Sequence, residues 1–454
     1  MRLVLCSALF ALCSNCFSQS YISRQKAIDD ISFYHKTILE VHYNPFLLIG
    51  KKEYFSKVEA LTKTLPDSIS AKDFIILMYR ISSLLKDGHN SPYLVQPLVK
   101  DELRKEQFFP YNLVIENKRL YVPQSTAMLS GLPTGAEIVS INNKYASSFV
   151  PQMAEYIGGN EAYAIEMSAK LFSYFLFLSD IKAPFHIQYL DSSPNKKNMV
   201  IEKGLKFGEA LAVTMPHIRA EYTFRTIDDK LGYIDFMSMG GDMNSFGRFL
   251  DSCFTIVKNT NIKNVAIDIR KNSGGNSMLG DLLLSYFTTK KYLLMGGRSW
   301  RISQQYKDYL LASGDTASSY LKKENGSLWE LGDCTPEENR FKNDNIFSGN
   351  VYLLTGPFTF SSANMIADGA KQFKLAEIIG QPTGENTNDF GETYVFSLPG
   401  SKVKMQTTTS FDYGADCNKK IHQPVMPDKI ISYTLHDRIY EKDKTLEYIL
   451  NKLK

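Results

Sequence analysis

The chain has 454 residues, 44% of them hydrophobic and 22% charged, the balance of a folded globular protein rather than a disordered or fibrous one. A formal net charge of +4, thinly spread, excludes the basic surface that nucleic-acid binding requires. At about 100 to 200 residues per domain the length predicts two or three units, more than one simple core can hold.

Arg2 is the one charged residue of the first twenty. The apolar run 3–12 and then Cys16-Phe17-Ser18 complete the three sections of a secretory leader, with cleavage expected near Ser18. Export to a periplasmic or extracellular location is therefore expected. Lipid anchoring is disfavoured, because Leu12 and Asn15 are poor residues to precede a lipidated Cys13 or Cys16. No later stretch reaches the roughly 18 apolar residues of a membrane span. Beyond the leader stand Cys253, Cys334 and Cys417, which allow one disulfide and imply neither a disulfide framework nor a zinc site.

Along residues 24–42, Ile28, Ile31, Tyr34, Ile38 and Val41 recur at helical period, and a second helix is expected over 53–63. A third starts at Ser70 with Asp73 three residues on, a capping-box arrangement, and stops at Lys86-Asp87-Gly88. His89 follows on the turn, where a side chain stays accessible while a scaffold positions it. From 109 to 201 the pattern changes to short strands, expected at 112–115, 119–122, 136–141 and 185–189. Residues 131–143 resemble a loop and strand of PDZ-like domains, modules that accept a peptide as an added strand. The aromatic run 171–178 is expected to be core.

The remainder alternates strands and helices: strands at 231–236, 265–269, 292–295, 351–354 and 376–379, with helices at 245–257, 279–287 and after Ser361. A polar insertion over 304–345 and a terminal helix over 437–453 complete the chain. Such alternation predicts a largely parallel sheet with helices on both faces.

Two turns fall at carboxyl ends of strands, where open sheets collect their functional loops. In the first, Asn272-Ser273-Gly274-Gly275, paired glycines let backbone approach a substrate and aim N–H groups at a developing oxyanion. In the second, Thr359-Phe360-Ser361-Ser362, a serine stands at a helix start, where it is either a cap or a nucleophile beside the positive end of the helix dipole. The other histidines, His35, His42, His186, His217 and His436, form no metal pattern, and His422 is expected to border the cleft.

Residues 268–276, then Thr359-Phe360-Ser361-Ser362-Ala363-Asn364, then Gly380-Gln381-Pro382-Thr383-Gly384, then Pro427-Asp428 form an ordered series. The series resembles the serine peptidase family of carboxy-terminal processing (tail-specific) proteases and the tricorn core protease. The resemblance implies an α/β fold: a mostly parallel, mixed sheet with helices on its faces (a ClpP/crotonase-like core), preceded by a helical segment and a PDZ-like β-rich domain. The expected division is leader 1–18, helical segment 19–105, PDZ-like domain 106–205 and peptidase core 206–454. The family motif Ser-Ala-x-Glu places the nucleophile at Ser361, with Asn364 at the glutamate position. The family's lysine base, about 25 residues on, is replaced by Asn386. The tricorn-like branch instead takes a histidine from upstream, and His89 holds that place.

In that branch a serine and a glutamate orient the histidine. Gly88 stands at the serine position, so the hydroxyl is missing or comes from Ser91, and the glutamate is Glu385, with Glu392 behind it. The expected mechanism is attack on a peptide carbonyl by Ser361 with His89 as base, and N–H groups of Gly274 or Gly275 and Ser362 as the oxyanion hole. Protein or peptide substrates are implied and no cofactor. Two alternatives stay open: a catalytically impaired ligand- or peptide-binding protein on the same fold, and an esterase-like hydrolase using the same pair.

Overall fold

A computed structural model of the chain describes residues 21–193, 195–218, 220–343, 346–420 and 423–454. The expected leader and His422 lie outside the described residues. Helix Arg24–Val41 opens the fold with Ser23 as its cap and buries Ala27, Ile31, Tyr34, Ile38 and Val41. That stripe runs through Ala27 and leaves Ile28 at 39% exposure, because Ile28 sits about a quarter turn off the face. Helices Lys51–Thr62 and Ala71–Ser83 follow, the second capped by Ser70, whose hydroxyl oxygen accepts the Asp73 N–H at 3.1 Å.

Strands Val114–Glu116, Arg119–Tyr121, Glu137–Ile141, Phe185–Leu190 and Lys197–Ile201 pair in that order in one antiparallel sheet. Helices Ala146–Ala154, Glu161–Lys170 and Phe172–Leu178 are inserted between its third and fourth strands, where only strands and turns were expected. Phe172–Leu178 is buried along its whole length, so the aromatic run is core. Its side chains join those of Phe74, Ile75 and Met78 in one apolar cluster shared by the N-terminal helices and this sheet.

The α/β part is built on a six-stranded sheet ordered Tyr222–Ile227, Leu231–Phe236, Asn264–Asp268, Asn350–Thr355, Glu377–Gly380 and Lys429–Ile430. The first pair is antiparallel and every later pair parallel, as strand–helix–strand alternation demands. Successive residues face opposite layers. Val351 and Leu353 pack with Phe246, Leu250, Leu279 and Ile366 of helices Met243–Asn259, Ser277–Leu284 and Ser362–Gln372. Tyr352 and Leu354 pack with Ile449 of helix Lys444–Lys452. The expected terminal helix is two helices, Leu435–Ile439 and Lys444–Lys452, separated where Glu441 turns to φ +50° and Asp443 caps the second.

A second, antiparallel sheet is ordered Leu328–Leu331, Gly297–Arg301, Lys404–Tyr413 and Asp389–Ser397, with Ser91–Pro92 paired to the long strand Lys404–Tyr413. The strand expected at 292–295 lies instead at Gly297–Arg301, and the expected insertion contains helix Gln304–Ala312 and strand Leu328–Leu331. A Cys334–Cys417 disulfide ties the turn after Leu328–Leu331 to the turn after Lys404–Tyr413, and Cys253 is a buried free thiol. No helix among the described residues is long and apolar enough to cross a membrane.

Candidate active site

Strand Asn350–Thr355 delivers the serine. Beyond it Thr359 pins the turn: its hydroxyl donates to Ile269 O at 2.9 Å and accepts the Gly356 N–H at 3.1 Å. Ser361 then takes φ +52°, a left-handed conformation that non-glycine residues adopt only where the surroundings enforce it. It precedes helix Ser362–Gln372, yet its side chain makes no capping bond, so the cap alternative fails for this residue. Ser362 is the structural member of the pair: its hydroxyl donates to Gly275 O at 2.7 Å.

The glycine turn lies directly against this corner. Asn272 holds it, donating from Nδ2 to Phe236 O at 2.9 Å and accepting the Gly274 N–H on Oδ1 at 2.8 Å. A Cβ on Gly274, at φ +95°, would come 2.7 Å from the Ser361 Cβ; on Gly275, at φ +135°, one would come 2.4 Å from Met239 O. Both positions therefore require glycine. The Gly274 N–H is already engaged, whereas the Gly275 N–H has no acceptor among the described residues. Ser362 begins the helix, where N–H groups have no intrahelical partner.

His89 arrives from the other side. Past helix Ala71–Ser83, Lys86 turns at φ +58° and the loop Asp87-Gly88-His89 runs against Phe360, whose ring centroid is 4.8 Å from that of His89. Gln406, on the long antiparallel strand, donates to His89 O at 2.8 Å and fixes the loop from beneath. The ring nitrogen Nδ1 lies 3.5 Å from Glu385 Oε1 and 3.6 Å from Asp87 Oδ1. The second Glu385 oxygen accepts the Ser361 backbone N–H at 2.5 Å, so one carboxylate spans the serine and histidine segments. Burial disfavours a charged His89, but the negative charges of Glu385 and Asp87 outweigh it and push the imidazole up to about 9. Burial raises Glu385 as well, and Asp389 beside it is raised by burial and by the charges of Glu385 and Asp412.

Of the expected site residues, Ser361, Ser362, Gly274, Gly275, His89 and Glu385 come together. Glu392 does not: it pairs with Arg298. Ser91 pairs through its strand with Gln406 and makes no bond to the ring among the described residues. A serine in place of Gly88 would crowd Phe360, since its Cβ would meet Phe360 Cζ at 2.6 Å. The two asparagines that replace charged family residues stand together, Asn364 Nδ2 donating to Asn386 O at 2.7 Å, and so brace the chain next to Glu385. Asp87, His42 and Thr408 are not among the residues the sequence marks. Asp87 adjoins His89, but neither His42, on a helix face, nor Thr408, in a polar run, carries a signal.

A cavity of about 230 Å³ opens among Asp87, Gly88, Phe360, Glu385, Asp389 and Phe390. A more apolar one of about 280 Å³, with Tyr79, Tyr163, Met167 and Met215 in its wall, lies on the other side of Gly88.

Residues 230–431 match the model of peptidase family S41. The fold is similar to that of mature CPAF complexed with lactacystin, with a TM-score of 0.63 at 15% identity, covering 95% of this chain and 98% of that one. A point mutant of CPAF superposes with a TM-score of 0.66 at 12% identity, covering 95% and 97%. At these identities the likeness speaks for the fold. No curated protein sequence matches the chain.

Proposed function

The chain belongs to peptidase family S41, a family of serine-type peptidases, and on that premise we propose that Ser361 is the nucleophile and His89 its general base in an exported peptidase acting on proteins or peptides. The observation that carries the reading is the Glu385 carboxylate, 3.5 Å from His89 Nδ1 on one oxygen and bonded to the Ser361 N–H on the other. With Nδ1 facing carboxylates, Nε2 is the nitrogen left to take the Ser361 proton. Ser361 Oγ then attacks the carbonyl carbon of the scissile bond. The tetrahedral oxyanion is received by the N–H groups of Gly275 and Ser362, and His89 returns the proton to the leaving amine. Water repeats the sequence on the acyl-enzyme. Gly274, with its N–H committed to Asn272, contributes by its missing side chain, which lets the turn lie against Ser361.

The apolar 280 Å³ cavity, which shares Gly88 with the histidine loop, suits an apolar side chain of the substrate. Export through the leader 1–18 is supported by the Cys334–Cys417 disulfide, a bond that persists in oxidising compartments. Labelling with a fluorophosphonate and hydrolysis of a denatured, fluorophore-tagged protein test the site. Both activities are expected to vanish in Ser361→Ala and His89→Ala and to survive in Ser362→Ala. Full activity in Ser361→Ala would end the assignment. Retention of a fluorophosphonate label with ester but no peptide turnover would move the reading to an esterase.

A further inference from the structure

His89 is flanked by two carboxylates, and the second is itself held by a second histidine. The Asp87 side chain is 1% exposed. Its Oδ1 accepts the His89 backbone N–H at 2.8 Å and lies 3.6 Å from His89 Nδ1. Its Oδ2 accepts the Thr408 hydroxyl at 2.9 Å and faces His42 Nε2 at 3.2 Å. His42 Nδ1 accepts the Asn44 N–H at 3.1 Å, which leaves Nε2 as the nitrogen that donates to Asp87. Both donors favour the ionised carboxylate. Although burial opposes it, the bonds from His42 and His89 hold Asp87 well below the usual carboxylate range.

We propose that Asp87, fixed by His42 and Thr408, is a positioning residue that shares with Glu385 the orientation of His89 and the stabilisation of the imidazolium formed when Ser361 gives up its proton. The proposal rests on the Ser361–His89 reading above. Glu385 has divided duties, since one oxygen is committed to the Ser361 N–H. Asp87 gives its Oδ2 to His42 and Thr408, which leaves Oδ1 on the His89 side, bonded to that residue's own backbone N–H and facing its ring. The competing explanation is that Asp87 merely shapes the turn by accepting the N–H two residues on, as aspartates do in many loops. Asparagine makes the same turn without the charge, so Asp87→Asn separates the two.

The remaining charged neighbours stay constant in that comparison. Glu385 and, behind it, Asp412 face His89; His42, Tyr34 and Tyr163 surround Asp87. Asp389 and Arg298 lie one step farther along the same cluster.

The test measures kcat and KM for a denatured, fluorophore-tagged protein against pH, and follows the His89 ring by NMR titration in a Ser361→Ala background. Asp87→Asn is expected to lower kcat by about a hundredfold or more with KM little changed, as removal of a triad carboxylate does. It is expected to move both the ascending pH limb and the ring titration down by about one to three units, the effect of removing one adjacent charge. His42→Ala should move both in the same direction by less, and His42→Gln, whose amide still donates to Asp87, should restore them. If His42→Ala does not fold, Thr408→Val removes the other donor to the same oxygen and carries that arm. A wild-type ring titration and pH profile in Asp87→Asn would overturn the proposal and leave Ser361 and His89 untouched. Full activity in Ser361→Ala would instead remove the premise.

Discussion

The serine and the histidine are supported by two different kinds of sheet. The serine grows from a parallel strand whose Val351, Leu353, Tyr352 and Leu354 bury against two apolar layers, so burial of hydrocarbon places it. The histidine loop rests on an antiparallel strand in which Thr407, Thr408, Thr409, Ser410 and Asp412 are all at most 1% exposed. That strand acts through polar contacts: Gln406 to His89 O, Thr408 to Asp87, and Asp412 to Arg298 at 2.5 Å. The strand beneath the serine is thus held by apolar packing, and the strand beneath the histidine by hydrogen bonds and charge. The apolar layers should be indifferent to pH, and the charged contacts, including Glu385 on the Ser361 N–H, should respond to it.

Ser361→Ala gives the largest expected effect, a fall of about four to six orders of magnitude in rate on the denatured substrate with the fold retained. If Ser362→Ala were the inactive variant instead, the bond from Ser362 to Gly275 O would not be the structural one described, and the apolar side of the comparison would break.

Reduction of Cys334–Cys417 strikes the other side. The bridge closes 83 residues of sequence separation between two turns of the antiparallel sheet, which predicts about 4.5 kcal/mol of stability in the loop-entropy account. Denaturant midpoints of the oxidised protein and of a Cys334→Ser/Cys417→Ser variant measure it. An unchanged midpoint would mean that the sheet stands on its own hydrogen bonds.

The two supports also differ in how visible they were in the sequence. Strands 231–236, 265–269 and 351–354 announced themselves as apolar runs between helical stretches and were found within a residue or two. Lys404–Tyr413 carries no such signal, because its middle, Thr407-Thr408-Thr409-Ser410, is polar and buried on both faces and interrupts the alternation between Met405 and Phe411. For the same reason Ser361, Glu385 and the glycine turn were legible, whereas Thr408 and His42 were not: their partner Asp87 lies 321 and 45 residues away in sequence. The engaged Gly274 N–H was equally hidden, since no pattern states which amide an asparagine side chain will claim.

The pH profile tests the charged side directly. His89 is raised to about 9, so below that value it holds the proton it must lose to act as the proposed base. For the free enzyme kcat/KM should therefore climb through neutrality, gaining on the order of a hundredfold between pH 7 and 9, because a raised pKa delays the neutral form. A limb at the ordinary histidine value would show that Glu385 and Asp87 do not act on the ring as their positions indicate. The same protonated ring favours the fold: that contribution is complete below the unfolded-state pKa and lost as pH rises through about 9.

Gly88→Ser restores the residue that the resemblance leads one to expect before the histidine, and it should still do harm. The new Cβ would stand 2.6 Å from Phe360 Cζ and 3.3 Å from Tyr163 Cε1, where Tyr163 and Phe360 are stacked at 4.1 Å and leave the ring little room to retreat. Overpacking of this kind costs about 1 to 3 kcal/mol and forces local shifts. The shift falls on Phe360, which touches the His89 ring and directly precedes Ser361, so activity should drop together with the melting temperature. Gain of activity in Gly88→Ser would mean that a hydroxyl at this position outweighs Asp87 as the partner of His89. Loss in Gly88→Ser, partly relieved by Phe360→Leu in the same chain, would show that Phe360 is what keeps the position glycine and that orientation of the base has passed to carboxylates.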